Sequence, residues 1–197
     1  MPQNANLDAQ IAFLVDVDKL KSVLRRNYAI HGDRRENSAE HSWHVTLFAI
    51  VLAEHSNEPV DLDRVVRMLV IHDIVEVDAG DTFIYDDAEK ETQVVREERA
   101  ADRLFGLLPQ KQGELFRGLR NEFEAAATPE AKFAKAIDRF AAALHNYKTH
   151  GRGWSENGIG RNRVLAVNEY VRDGSTTLWD KIQALVSSAV KEGFLQS

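Results

Sequence analysis

The sequence predicts an all-α helical bundle. Apolar residues recur at helical spacing in stretch after stretch. Proline and glycine punctuate those stretches, at Pro59, Gly80, Pro109, Pro129 and Gly151. No segment offers the apolar–polar alternation of a half-buried strand. At 197 residues the expectation is one domain, residues 1–197, with enough chain to bury a substantial core.

In chain order, Leu7 to about Tyr28 has helical periodicity through Ile11, Leu14, Val15, Leu20, Val23 and Leu24. Ala29 to Asn37 is a polar loop containing Gly32. Ser38 is the expected N-cap of a second helix running to about Ser56, with Val45, Phe48 and Leu52 inside. Pro59 and Asp61 open a third helix, which ends before the turn Gly80-Asp81-Thr82. Ala88 to Leu108 is a charged amphipathic helix, expected to serve as surface. Gln110 to about Ala125 follows Pro109. Thr128 caps, and Pro129 begins, a helix through Phe133, Ile137, Phe140 and Leu144 to about His150. Gly151 to Gly160 is the Gly-rich loop; it lacks the preceding strand that a dinucleotide or P-loop site requires. Arg161–Arg172 and Thr176–Glu192 read as two more helices, and Trp154 and Trp179 as core or dimer contacts.

The chain is organised around Val65 to Glu76. This stretch is apolar almost all round, the pattern of a helix in the middle of a fold. It then places His72, Asp73 and Glu76 within five residues. Charge in such a position is costly unless paired or bound to metal. Adjacent helical residues point about 100° apart, so His72 and Asp73 need ligands from other helices to close a site. The candidates are His41, near the start of the second helix, and Asp138, set between Ile137 and Phe140; the latter could instead pair with Arg139 or Lys135. Two imidazoles and two carboxylates suit one divalent ion of the Mn, Fe, Co, Ni or Zn kind. His44, three residues after His41, could compete as a ligand, but it and His145 are expected to pack behind the site.

Composition narrows the function. The formal net charge is −6, from 25 Lys and Arg against 31 Asp and Glu, which argues against a nucleic-acid polymer as partner. The basic residues between Lys19 and Arg35 suit a single phosphate group better than a polyanion. There are no cysteines, so disulfides and thiolate metal sites are excluded, which fits a cytoplasmic setting. No apolar stretch reaches the roughly 20 residues of a membrane span.

The order His41, His72-Asp73, Asp138 is similar to the H…HD…D pattern of HD-domain metal-dependent phosphohydrolases. Glu36-Asn37-Ser38-Ala39-Glu40-His41-Ser42, His72-Asp73-Ile74-Val75-Glu76 and Gly80-Asp81 resemble the YfbR-like 5′-deoxynucleotidase family more closely, over roughly residues 15 to 150. The resemblance implies an HD-domain helical bundle with a central buried metal-bearing helix, one catalytic metal and a homodimer. It implies hydrolysis of a (deoxy)nucleoside 5′-monophosphate, a small-molecule substrate, to nucleoside and phosphate. Carried over by position, His41, His72, Asp73 and Asp138 are metal ligands and Glu76 orients the attacking water. Asp81 acts on the substrate, Arg26 contacts its phosphate, and Arg35 is a second phosphate candidate. Asn27 stands where the family has a tryptophan that reads the sugar. Two other readings are weighed. One is an alarmone-type or other nucleotide pyrophosphohydrolase, against which Val77 replaces the usual acid after Glu76. The other is a non-catalytic nucleotide-binding helical dimer.

Overall fold

The computed structural model describes residues 2–197, with side-chain burial from Ala5 onward. Eleven helical segments dominate. They are α1 (Pro2–Val17), α2 (Ser38–Leu52), α3 (Leu62–Ile71), α4 (Glu76–Ala79), α5 (Asp87–Gly106), α6 (Gln110–Ala125), α7 (Pro129–Lys148), α8 (Arg152–Glu156), α9 (Arg161–Asn168), α10 (Val171–Gly174) and α11 (Thr176–Lys191). The expected all-α architecture holds, with one addition described below.

The helix α7 is the axis of the bundle. Its apolar residues Phe133, Ala134, Ala136, Ile137 and Ala141 are all but inaccessible. It packs against α2, α3, α6, α10 and α11. Burying that face stabilises by about 1.5–3 kcal/mol for each large side chain. Its start follows the sequence: the Thr128 side chain accepts from the Ala131 amide, and Pro129 sits in the first turn. Gly174 lets α10 lie flat on α7; a Cβ there would stand 2.2 Å from the Lys132 carbonyl oxygen.

The addition is a small antiparallel hairpin where a helix and a loop were expected. The first helix stops at Val17 and gives way to a 3-10 turn at Asp18–Ser22. Leu24–Tyr28 then forms β1 and Arg35–Asn37 forms β2, paired Leu24 with Asn37 and Tyr28 with Arg35. The register shifts between Leu24 and Tyr28, so burial does not alternate evenly along β1; its buried residues are Arg25 and Tyr28, three apart, and that of β2 is Glu36. Arg26 and Arg35, each next to a buried residue of its strand, lie outside the interior that Arg25 and Glu36 enter.

A second difference is the start of α2. Asn37, not Ser38, is the cap: its side chain accepts from the Glu40 amide, and Glu40 in turn accepts from the Asn37 amide. This reciprocal pair leaves the Ser38 hydroxyl free to enter the site. The third difference is at the centre. The expected continuous helix breaks after Ile71 into a 3-10 turn, His72–Val75, before α4 resumes. That tighter turn sets how the His72, Asp73 and Glu76 side chains fan out.

Candidate metal centre

The side chains of the centre arrive from α2, α7 and the 3-10 turn after α3, each for a local reason. His72 leaves the end of α3 with Nδ1 2.8 Å from the Leu69 carbonyl oxygen, to which it donates. In the neutral ring that bond leaves the lone pair on Nε2. Nε2 is buried with no hydrogen-bond partner, yet lies 3.1 Å from Asp73 Oδ1. A buried nitrogen and a carboxylate oxygen thus face each other without a hydrogen bond between them. A cation between or beside them satisfies both.

His41, one turn into α2 and 1% exposed, completes the set. Its Nε2 lies 3.0 Å from Asp138 Oδ1 and 3.9 Å from Asp73 Oδ2, and its Nδ1 lies 3.3 Å from Glu36 Oε2. Ligand atoms of His41, His72 and Asp73 fall within 4.8 Å of one another. Asp138, from the middle of α7, is held by Arg139, whose Nε and Nη2 both donate to Oδ2 at 3.1 and 3.0 Å, leaving Oδ1 turned inward. Two imidazoles and two carboxylates, all at least nine-tenths buried, form a donor set that suits a divalent ion of borderline character. The residues fit such an ion, and the orphaned His72 nitrogen is the observation that tests the fit.

The surroundings are strongly charged. Arg25 Nη1 lies 2.8 Å from Asp73, 3.5 Å from Asp81 and 3.6 Å from Glu76. Burial works against the His41 imidazolium, as does nearby Arg25, but the bonds to Asp138 and Glu36 outweigh both and raise its pKa to about 9. Burial also works against the Asp138 carboxylate, yet Arg139 and His41 hold it well below the usual carboxylate range. Glu76 goes the other way: burial first, then the neighbouring Asp73 charge, push it well above its ordinary value. Asp81 is raised by the same two causes against the pull of Arg25. The free Ser38 hydroxyl donates to Glu76 Oε2.

A cleft opens onto the centre. One chamber, of about 150 Å³, is lined by His72, Asp73, Glu76, Asp138, Lys135 and Tyr170. An adjoining narrower chamber is lined by Arg26, Asn27, Phe83, Tyr85, Asn146 and Asn168. Arg25, Asp81, Thr82 and Arg139 belong to the walls of both. Gly80, at φ +76° and ψ 159°, turns the chain after α4 so that Asp81 comes back to the junction. That backbone region is essentially restricted to glycine.

The structure thus gathers His41, His72, Asp73, Asp138, Glu76 and Asp81. Arg26 sits exposed at the rim of the narrow chamber, its guanidinium 6.0 Å from the Phe83 ring centre. Arg35 is not brought to the cleft; it lies over Tyr28, 3.8 Å from Glu156. The sequence reading names Arg139 only as an alternative partner of Asp138, and does not single out Arg25 or the Ser38 hydroxyl. For Arg139 a signal existed, since it adjoins an acid in an apolar helix. Arg25 lies in a stretch read as helix that forms β1, and Ser38 is read as the cap where Asn37 caps instead.

Comparison with known proteins follows the same lines. A family model described as HD domain matches residues 17–179. The chain is 31% identical over 130 residues to human 5′-deoxynucleotidase HDDC2, covering 66% of this chain and 62% of that protein. It is 30% identical over 135 residues to 5′-deoxynucleotidase hdd1 of Schizosaccharomyces pombe, covering 66% and 67%. The matched segment thus spans less than two thirds of the human relative. A crystal structure of a predicted metal-dependent phosphohydrolase from Magnetospirillum magnetotacticum superposes with a TM-score of 0.93 at 46% identity, covering 98% of this chain and 97% of that one.

Proposed function

The chain belongs to the HD-domain family, and on that premise we propose that it is a metal-dependent phosphomonoesterase that hydrolyses (deoxy)nucleoside 5′-monophosphates to nucleoside and phosphate. The observation that carries this reading is the unpartnered His72 Nε2 beside Asp73 Oδ1, grouped with His41 and Asp138 at an arginine-walled cleft. His41, His72, Asp73 and Asp138 would hold one divalent ion. Bound there, the ion supplies Lewis-acid polarisation of the phosphoryl group and acidifies water beside it.

The chain's own residues do the rest. Glu76 orients the attacking water and accepts its proton as the P–O5′ bond breaks. Ser38 fixes the carboxylate in that pose and favours its ionised form. Arg25 and Arg139 stand where the two chambers meet and offset the charge that builds on the equatorial phosphoryl oxygens. Asp81 lies at the same junction, placed to meet the sugar end of the substrate. The narrow chamber receives the nucleoside, with Phe83 and Tyr85 as its apolar wall and Asn27, Asn146 and Asn168 as its hydrogen-bonding groups. Arg26 at the rim steers the anion in. The leaving sugar oxygen takes a proton from water at the mouth of the cleft.

The site needs only one copy of the chain, but we read the chain as a homodimer. The outer face of α2 exposes Trp43 (66%), Leu47, Ile50 and Val51 (64%), and an apolar groove continues over Leu14, Val70 and Leu115. Large contiguous apolar surface of this kind marks an interface. No helix among the described residues is long and apolar enough to cross a membrane.

Phosphate release over a grid of divalent metals against ribo- and deoxynucleoside mono-, di- and triphosphates and a nucleoside 3′,5′-bisdiphosphate tests the reading. It predicts release confined to 5′-monophosphates and dependent on added metal. Release from pyrophosphate linkages alone would replace the proposal with a pyrophosphohydrolase.

A further inference from the structure

Behind His41, the helices α2 and α7 meet a second time. His44 follows His41 by one helical turn and His145 follows Asp138 by two, so each helix carries its second residue on the face of its first. His145 Nε2 lies 3.3 Å from His44 Nδ1. Glu36 reaches both pairs: Oε2 faces His41 Nδ1 at 3.3 Å, and Oε1 faces His145 Nδ1 at 3.7 Å. One donor atom from each of Glu36, His44 and His145 lies within 4.8 Å of the others.

Two features set this cluster apart from a hydrogen-bonded core histidine pair. Glu36 and His145 are each 3% exposed, and His145 Nδ1 has no hydrogen-bond partner. At 3.7 Å from Glu36 it is beyond hydrogen-bond range, so a buried nitrogen and a buried carboxylate oxygen face each other across a gap. The His44–His145 separation of 3.3 Å is long for a hydrogen bond. One ring nitrogen of His145 serves a single ion: Nδ1, the unpartnered one, is on the Glu36 side, and Nε2 is on the His44 side. Burial lowers the pKa of both imidazoles, which keeps their lone pairs available near neutrality. Trp43 stacks on His44 at 5.6 Å and Phe48 meets it edge-on at 4.7 Å, so the ring is held while remaining half-exposed. An ion therefore has a way in from the surface. The backbone of Tyr28 also faces His145.

We propose that Glu36, His44 and His145 form a second divalent-cation site, taking an ion that favours imidazole with carboxylate, such as Zn²⁺ or Co²⁺. Three protein donors leave a position for water. Glu36 is shared, with one oxygen serving His41 and the other the second ion. The proposal does not rest on the hydrolase reading.

The test is a Co²⁺ titration of chelator-stripped, full-length protein, read by equilibrium dialysis and by the visible absorption of the bound ion. Wild type is expected to bind two equivalents. His44→Gln, a change at a half-exposed position, and His145→Ala are each expected to lose one, with unchanged melting of the metal-free protein for His44→Gln. Asp73→Ala is expected to keep the equivalent that the His44 and His145 changes remove. Wild type binding a single equivalent that Asp73→Ala abolishes would overturn the proposal. So would two equivalents that both survive His44→Gln and His145→Ala. A single wild-type equivalent lost in the His44 and His145 variants but kept in Asp73→Ala would instead uphold this site and count against the first.

Discussion

Replacing Arg25 with Met removes a cation that faces Asp73, Glu76 and Asp81 together, while keeping most of its volume. Its side chain is 8% exposed, so solvent cannot take its place. At 2.8 Å from Asp73, and with an effective dielectric of about 20, that pair alone is worth about 6 kcal/mol of gross attraction. Desolvation of the guanidinium takes back part of this, and broken buried pairs typically cost about 3–5 kcal/mol net. Arg25→Met should therefore destabilise the chelator-treated protein by about 3–5 kcal/mol at pH 7.5, measured by urea unfolding. The loss should shrink toward pH 5. Glu76 and Asp81 are already pushed upward by burial and Asp73, and without Arg25 they take up protons more readily still. A divalent ion should restore part of the stability by substituting for the lost charge. A loss below about 1 kcal/mol in the chelated protein, or one independent of pH, would refute the view that Arg25 balances the charge of the centre.

Other consequences are as direct. His41 rises from 6.5 to about 9 in the folded, ion-free chain. Its ion pairs thus contribute stability that is complete below pH 6.5 and lost as pH rises through 9, and the melting temperature in chelator should fall over that window. For the same reason, ion binding at pH 7.5 should release about one proton, read by calorimetry in buffers of different ionisation enthalpy, and none at pH 10. Ser38→Ala removes a bond that favours the ionised form of Glu76, so the acid limb of the kcat profile should move to higher pH; an unmoved limb would separate Glu76 from the rate. Gly80→Ala forces a backbone state that costs about 1–3 kcal/mol outside glycine, and it should lower both stability and kcat/KM by displacing Asp81. Trp43→Glu should convert a dimer to a monomer in sedimentation without altering turnover, since that face lies outside the cleft.

The fold was legible where apolar periodicity and caps agree. Thr128-Pro129 announced α7, and Pro109 with the following amphipathic run announced α6, because helix chemistry is local. The hairpin was not legible, because its inward positions, Arg25 and Glu36, are charged. Strand signals assume that the buried face is apolar, and here the buried face is the wall of a charged centre. Arg26 is named through the resemblance; its neighbour Arg25, on the buried side of β1, is the arginine that enters the centre. Ser38 was mistaken for the cap because Asn37 and Ser38 are both good caps; the Glu40 partner three residues on decides for Asn37. The break at His72 has neither glycine nor proline to announce it. Glu76 and Asp81 were found by resemblance, but their raised pKa values depend on neighbours that only the fold assembles.

The central claim is that His41, His72, Asp73 and Asp138 hold one ion that makes this chain a phosphohydrolase. Phosphate release from a 2′-deoxynucleoside 5′-monophosphate, followed while stripped protein is titrated with Mn²⁺, tests it most directly when wild type and Asp138→Asn are run side by side. The account predicts no release from stripped wild type, a rise that saturates with the tightest equivalent of metal, and no rise in Asp138→Asn. Release by the stripped protein, or an Asp138→Asn curve that overlays wild type, would contradict it.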